Sequence, residues 1–268
     1  MDIFARNNIF DADMNDRMFP HYKFSIFEPF ANKIVAFTTL GSQGVHTDLN
    51  LRNENGPQNR VELSQTIGFD VARMVTPEQT HSCNVVAVSE EDAGRGALSV
   101  DSRIPDTDAL ITNCKNIPLM ILTADCVPIV MYDTKNNAIA AIHAGWRGTI
   151  AKITIKTIEL MAEKYRSEPE NIYVGIGPCI GKHCFEVDSD VAEKFAEIPE
   201  CVNWVANRNK FLIDLQMANK IFMNKIGVHS HNICTIEGCT HCNHDDFYSY
   251  RRNPGNSFRM GTGIVLSA

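Results

Sequence analysis

Short apolar runs, many of them β-branched and each bounded by turn residues, recur through the chain: KIVAFTT (33–39), NVVAV (84–88), DALIT (108–112), PLMILTA (118–124), PIVMYD (128–133), AIAAIHA (138–144) and NIYVGIG (171–177). Continuous apolar runs of this length predict buried strands. Helical periodicity predicts helices over NRVELSQTIG (59–68), TIAKITIKTIELMAEKY (149–165), SDVAEKFAEI (189–198) and FLIDLQMANKIFMNKIG (211–227). The last places apolar residues 211, 212, 215, 218, 221 and 222 on one face and ends at Gly227.

DTKNN (133–137) between two strands predicts a hairpin, so part of the sheet is antiparallel. The helix over 149–165, followed by the strand over 171–177, allows a crossover connection. Together they predict an α+β fold with mixed sheets. Without a repeat, a low-complexity tract or a Pro/Gly/Ser-rich linker, residues 1–268 read as a single domain. The polar, Gly- and Asn-rich stretch 41–58 has neither period and suits a long loop over a binding surface.

Composition adds exclusions. Apolar residues make up 44% and charged residues 21%, an ordinary globular balance. The net charge of -7 gives no general attraction to a nucleic acid or an anionic membrane, so neither is expected as a partner. The first 20 residues do not read as a secretory signal, and no stretch approaches the ~18 apolar residues of a membrane span. Nine cysteines, an odd number scattered through a chain of this size, favour free thiols and metal ligands over a disulfide framework. A cytoplasmic setting is the expectation.

His81 (EQTHS), Cys126 (TADCVP) and His143 (HAGWRGT) fall at the ends of predicted strands, where loops build sites. Imidazole, thiolate and imidazole match a catalytic zinc with three protein ligands and an open fourth position. Their separations are too long for a zinc finger, and three unrelated side chains fit the spacing as well. In a competing reading Cys126 is a nucleophile and His143 its base. Asp125 is a poor orienter for that imidazole, because neighbours on an extended chain point to opposite sides. On the residues alone the two readings rank together.

Cys234, Cys239, His241, Cys242 and His244 crowd one late segment. A single CxxC with nearby histidines is half of a structural zinc site, a redox pair, or an exposed loop with one or two buried thiols. GIGPCIG (175–181) matches neither a Walker loop nor a dinucleotide fingerprint, so ATP and NAD are not implied. Arg147, Arg251 and Arg252 are candidates for holding an oxyanion through paired hydrogen bonds, each with a surface salt bridge as the alternative.

EQTHS, TDALIT, TADCVPI, AIHAGWRGT, GIGPCIG and FYSYRR occur together in the order and spacing of the multicopper polyphenol oxidase, or laccase-domain, family, which the chain resembles from about residue 33 to its end. Residues 1 to about 30 lie outside these motifs as an unassigned N-terminal extension. The resemblance implies an α-β-β-α layered sandwich and a zinc held by His81, Cys126 and His143. It further implies a purine nucleoside phosphorylase that cleaves adenosine, inosine, guanosine and methylthioadenosine with phosphate and also deaminates adenosine. Copper with phenol oxidation, a cysteine hydrolase and a non-enzymatic zinc-binding module are the alternatives. FTTLGSQGVHTDLNL (37–51) departs from the family in having Leu40 where an arginine is usual, while Asn50 and Arg60 match. Arg60, Arg147 or Arg251 are therefore expected to hold phosphate, and Asn50 to contact the nucleoside.

Overall fold

The structure, a computed structural model, describes residues 19–41, 50–52 and 55–268. Each predicted apolar run is a strand within a residue or two of its expected ends. Along the chain the strands are β1 (His21–Lys23), β2 (Ile34–Thr39), β3 (Val85–Ala87), β4 (Ala109–Thr112), β5 (Leu119–Thr123), β6 (Val127–Asp133), β7 (Ala138–Ala144) and β8 (Ile172–Ile176). They continue with β9 (Glu186–Val187), β10 (Val202–Val205), β11 (Lys210–Ile213), β12 (Ile233–Thr235) and β13 (Met260–Leu266). The helices are α1 (Gly56–Ile67), α2 (Trp146–Ile150), α3 (Ile153–Tyr165), α4 (Ser189–Ala192) and α5 (Leu215–Lys225).

Two large sheets face one another. One is antiparallel with strand order β1-β2-β13-β5; the other is mixed, in the order β12-β8-β6-β7-β4-β3; β10-β11-β9 form a small third sheet. The hairpin expected at 133–137 joins β6 to β7 in register from Val127↔Ala144 to Asp133↔Ala138. Since β6 is antiparallel to both β7 and β8, the connection from β7 through α3 to β8 is the anticipated crossover.

Strand alternation sorts the apolar side chains into layers. Ile34, Ile121 and Ile264 of the four-stranded sheet meet Leu110, Val130, Tyr132 and Ile139 of the six-stranded sheet. On the far side of the latter, Ile111, Ile129 and Ile142 pack on Ile158 and Met161 of α3 and Phe222 and Met223 of α5. On the far side of the former, Phe37, Met120 and Leu122 pack with Leu63 of α1. This is the α-β-β-α order. The sequence outside the motifs also joins the body: Phe24 and Phe27 are buried between the sheets.

Three predicted helices are shorter than expected. Lys152 adopts a left-handed φ of 61° and splits 149–165 into α2 and α3. Residues 189–198 form α4 and a 3-10 turn. Phe211 and Leu212 belong to β11, and the Asp214 carboxylate caps α5 by accepting from the Met217 N–H. Most of the loop expected over 41–58 lies outside the described residues, with α1 starting at Gly56. No helix among the described residues is long and apolar enough to cross a membrane.

Candidate functional site

Ala124, Asp125 and Cys126 carry the chain from β5 in one sheet to β6 in the other. A three-residue passage between sheets forces an unusual backbone, and Asp125 takes φ 91°. Such a conformation costs about 1–3 kcal/mol and persists where surrounding contacts hold it. Here the Asp125 carboxylate accepts from Thr240 Oγ1 (2.6 Å) and from the Arg251 N–H (2.7 Å). The turn therefore presents Cys126 beside β7, where His143 pairs across from Pro128. His81, at φ 64°, brings its ring to 4.9 Å from that of His143, nearly perpendicular at 78°.

The donor atoms of His81, Cys126 and His143 all lie within 4.8 Å of one another. Gly145, the residue just before α2, leaves them room: a Cβ there would stand 3.1 Å from His81 Cδ2 and 3.2 Å from Cys126 Sγ. Behind them, His143 Nδ1 is 2.6 Å from Asp108 Oδ1, and both residues are buried. Asp108 also accepts from Ser82 Oγ and from the N–H groups of Ser82, His81 and Thr80, so one carboxylate orients two of the three residues. A carboxylate on Nδ1 leaves Nε2 of His143 for the site. No role for Asp108 was read from the sequence, although it sits in the TDALIT motif; a carboxylate one residue ahead of a buried strand was the available signal.

Charge follows the geometry. Burial opposes the Cys126 thiolate, but His143 and His81 outweigh it and bring the thiol down to about 6. Burial likewise opposes the His143 imidazolium, and Cys126 with Asp108 raises it to about 9. Burial works against the Asp108 carboxylate too, yet hydrogen bonds from His143 and Ser82 hold it below its usual range. The donor set of one thiolate and two oriented imidazoles fits a borderline-soft cation such as zinc or copper.

The trio opens into a cleft of about 430 Å³, within the ~300–1,000 Å³ of small-molecule sites. Leu122, Ile180, Phe185 and Tyr250 give it apolar wall, and Arg52, Arg103, Arg251 and Arg259 give it positive charge. Burial and then repulsion from Arg52 lower the Arg259 pKa. Among the described residues none of the four arginines is ion-paired to a carboxylate.

Of the anticipated arginines, Arg251 alone lines this cleft. Arg60 is 3% exposed and donates to the carbonyls of Leu51, Gly96 and Ala97, so its guanidinium is committed to the fold. Burial, then repulsion from Arg103, lowers its pKa to about 10. Arg147 is exposed and lies over the neighbouring Trp146 ring at 4.2 Å. Asn50 is buried outside the cleft lining, and its Oδ1 accepts from the N–H groups of Arg52 and Arg259, holding the backbone of two cleft arginines. Leu40 packs with Phe247 and Tyr248. Arg52, Arg103 and Arg259 lie in segments without periodicity or a recognised motif, so nothing in the sequence singled them out.

Facing sheets flanked by helices, with an imidazole–thiolate–imidazole trio at the base of an arginine-rimmed cleft, define an α+β protein bearing a soft-metal donor set. The chain belongs to the multi-copper polyphenol oxidoreductase laccase family, whose model matches residues 39–267. It is 36% identical over 209 residues to adenosine deaminase RL5 from an unknown prokaryotic organism, covering 76% of this chain and 79% of the relative. It is 31% identical over 245 residues to purine nucleoside phosphorylase YlmD of Bacillus subtilis, covering 87% and 88%. The crystal structure of YlmD from Geobacillus stearothermophilus superimposes with a TM-score of 0.84 at 30% identity, covering 90% of this chain and 94% of that one.

Proposed function

We propose that the chain is a cytoplasmic, zinc-dependent purine nucleoside phosphorylase that cleaves adenosine, inosine, guanosine and methylthioadenosine with phosphate and also deaminates adenosine. The observation that carries this reading is the oriented His81–Cys126–His143 trio opening into a cleft that has both apolar wall and four arginines. The names borne by relatives of similar length support the same reaction class. Copper would use the same donors. The other grouping of metal-ligating side chains among the described residues is all thiol, which does not resemble the histidine-rich centres of a multicopper oxidase.

A zinc held by His81, Cys126 and His143 would supply Lewis acidity and a competent nucleophile from water near neutral pH. The chain's own groups do the rest. Arg52, Arg251 and Arg259 hold phosphate, with Arg103 adding charge at the rim; guanidinium matches a phosphate edge with two parallel hydrogen bonds. Phe185 and Tyr250 flank the purine and exclude water from one side of it. In phosphorolysis a phosphate oxygen attacks C1′ of the ribose, the C1′–N9 bond breaks and the purine leaves with a proton. In deamination water adds at C6 and ammonia departs. Asp108 is a positioning residue that keeps the His143 tautomer suited to either reaction.

One observation favours a second reading. Asp108, His143 and Cys126 stand in the order of a carboxylate–imidazole–thiol relay, which gives a cysteine hydrolase the orienter that Asp125 does not provide. The two readings separate by experiment. Inosine and adenosine, each with and without phosphate, are incubated with zinc-loaded protein and the products resolved by chromatography. Phosphate-dependent release of free purine with ribose 1-phosphate, lost on chelation and restored by zinc, supports the proposal. Turnover that survives chelation but is abolished by thiol alkylation would overturn it in favour of the relay.

A further inference from the structure

Cys239 and Cys242 lack a second CxxC in the sequence, but the fold brings them a third thiol. Cys184, in the loop after β8, places its Sγ 3.3 Å from Cys242 Sγ, and the sulfurs of Cys184, Cys239 and Cys242 all lie within 4.8 Å of one another. Cys234 is apart from them, packed against the core between the two large sheets.

The local backbone is shaped around the Cys239 sulfur. The turn after it is closed by N–H groups of Cys242 (3.1 Å) and Asn243 (2.9 Å) donating to its carbonyl. The Cys239 Sγ itself receives the N–H of Gly181 at 3.1 Å. A Cβ at Gly181 would sit 3.1 Å from Cys239 Cβ, so glycine lets the two segments close over the cluster. A main-chain N–H donated to a sulfur is the contact by which backbone commonly fixes a metal-binding cysteine in place.

From this arrangement we propose that Cys184, Cys239 and Cys242 form a second metal site, a thiolate centre for a zinc-class thiophilic cation, separate from the His81–Cys126–His143 trio. With Zn–S bonds of ~2.3 Å, tetrahedral sulfurs stand roughly 3.8 Å apart, inside the span these three thiols already show. A disulfide between Cys184 and Cys242 would use two sulfurs and leave Cys239, the sulfur that receives the Gly181 N–H, outside the bond. Cys242 is exposed, which leaves the solvent side for a fourth ligand such as water.

The site's consequence is mechanical. It joins segment 179–186 to segment 239–252, and these two segments supply Ile180, Phe185, Tyr250 and Arg251 to the cleft wall. The segments also meet through a Cys179–Cys239 β-bridge with Thr240 N donating to Cys179 O, through Arg251 Nη1 donating to the carbonyls of Cys184 and Glu186, and through the Arg251 guanidinium over the Phe185 ring at 5.4 Å. A metal held by both makes that wall one rigid unit, whatever reaction the cleft performs.

Zinc content measured on reduced, full-length protein tests this. Wild type is expected to hold about two zinc per chain, and Cys126→Ala and the double variant Cys239→Ser/Cys242→Ser about one each. Cobalt(II) bound to Cys126→Ala should show intense thiolate-to-metal charge transfer. Because a variant can misfold, the wild type carries its own measurement. Zinc should protect Cys184, Cys239 and Cys242 from alkylation, mapped by mass spectrometry, and chelation should expose them together. A zinc stoichiometry that Cys239→Ser/Cys242→Ser leaves unchanged, or a Cys184–Cys242 disulfide in wild type whose three thiols gain no protection from zinc, overturns the proposal.

Discussion

At the scale of single residues, Asp108 shows how the site is built from behind. Its Oδ1 meets His143 Nδ1 at 2.6 Å while the same carboxylate receives the N–H groups of Thr80, His81 and Ser82. Asp108→Asn keeps the shape but can present an N–H to Nδ1, favouring the wrong tautomer. Zinc affinity, measured by competition with a chromophoric chelator, should fall about 10–100-fold, the usual cost of losing such a partner. Unchanged affinity would mean that His143 does not need the carboxylate. Two buried or half-buried arginines make a contrasting pair. Arg60→Ala strips three carbonyls of their donor and should lower stability by about 2–4 kcal/mol in denaturant unfolding, with little change in KM for phosphate. Arg259→Ala should show the opposite balance, raising that KM about tenfold with a smaller stability loss of about 1 kcal/mol, since only Nη1 of its guanidinium serves carbonyls, those of the nearby Asn256 and Phe258. If Arg60→Ala moves the phosphate KM and Arg259→Ala does not, the assignment of phosphate to the cleft fails. These arginines also mark the limit of sequence reading. A trio of soft ligands is recognisable by type, because few side chains can do that chemistry. An arginine is not, because its guanidinium serves a backbone carbonyl as well as a phosphate, and only the fold decides which is within reach.

At the scale of elements, legibility followed burial. Strands β2 to β8, with the exception of the half-buried β3, have no exposed face beyond single positions, so their apolar runs are continuous and were recognised, β3 among them, from β-branched residues and flanking turns. The β9–β12 strands are short and largely half-exposed, with no such run. Phe211 and Leu212 fall at helical spacing from Leu215 and Ala218, yet β11 takes both, because four strand residues ahead of a capping aspartate mimic an extra helical turn. β13 was hidden for a different reason. Although central in its sheet and fully buried, it reads MGTGIVL, and glycine weakens a strand signal. The structure supplies the need for those glycines: a Cβ at Gly263 would lie 2.7 Å from Phe37 Cζ and 2.9 Å from the Leu119 carbonyl. Gly263→Ala must therefore push apart β2 and β5, the two strands that β13 holds. A loss of about 1–3 kcal/mol in urea unfolding is expected from such overpacking. A variant as stable as wild type would show that the sheet yields without strain.

At the scale of the whole molecule, two charge distributions act against each other. The chain carries a net charge of -7, whereas its cleft gathers Arg52, Arg103, Arg251 and Arg259 without a paired carboxylate among the described residues. A long polyanion lying along the surface would meet the overall negative field. A small anion entering the cleft meets mainly the local field, strengthened by the low-dielectric walls of Leu122, Ile180 and Phe185. Added salt screens exposed charges over a Debye length of about 10 Å at 0.1 M, so in the proposed reaction it should weaken phosphate capture more than nucleoside capture, which there rests on the apolar wall. With chloride raised from about 0.05 to 0.5 M, KM for phosphate should climb severalfold while KM for inosine stays within about twofold. Arg251→Ala should flatten that dependence, since one of the screened charges is gone. Equal salt sensitivity for the two substrates would instead point to a general loosening of the protein, and a phosphate KM indifferent to salt would place the anion away from these arginines.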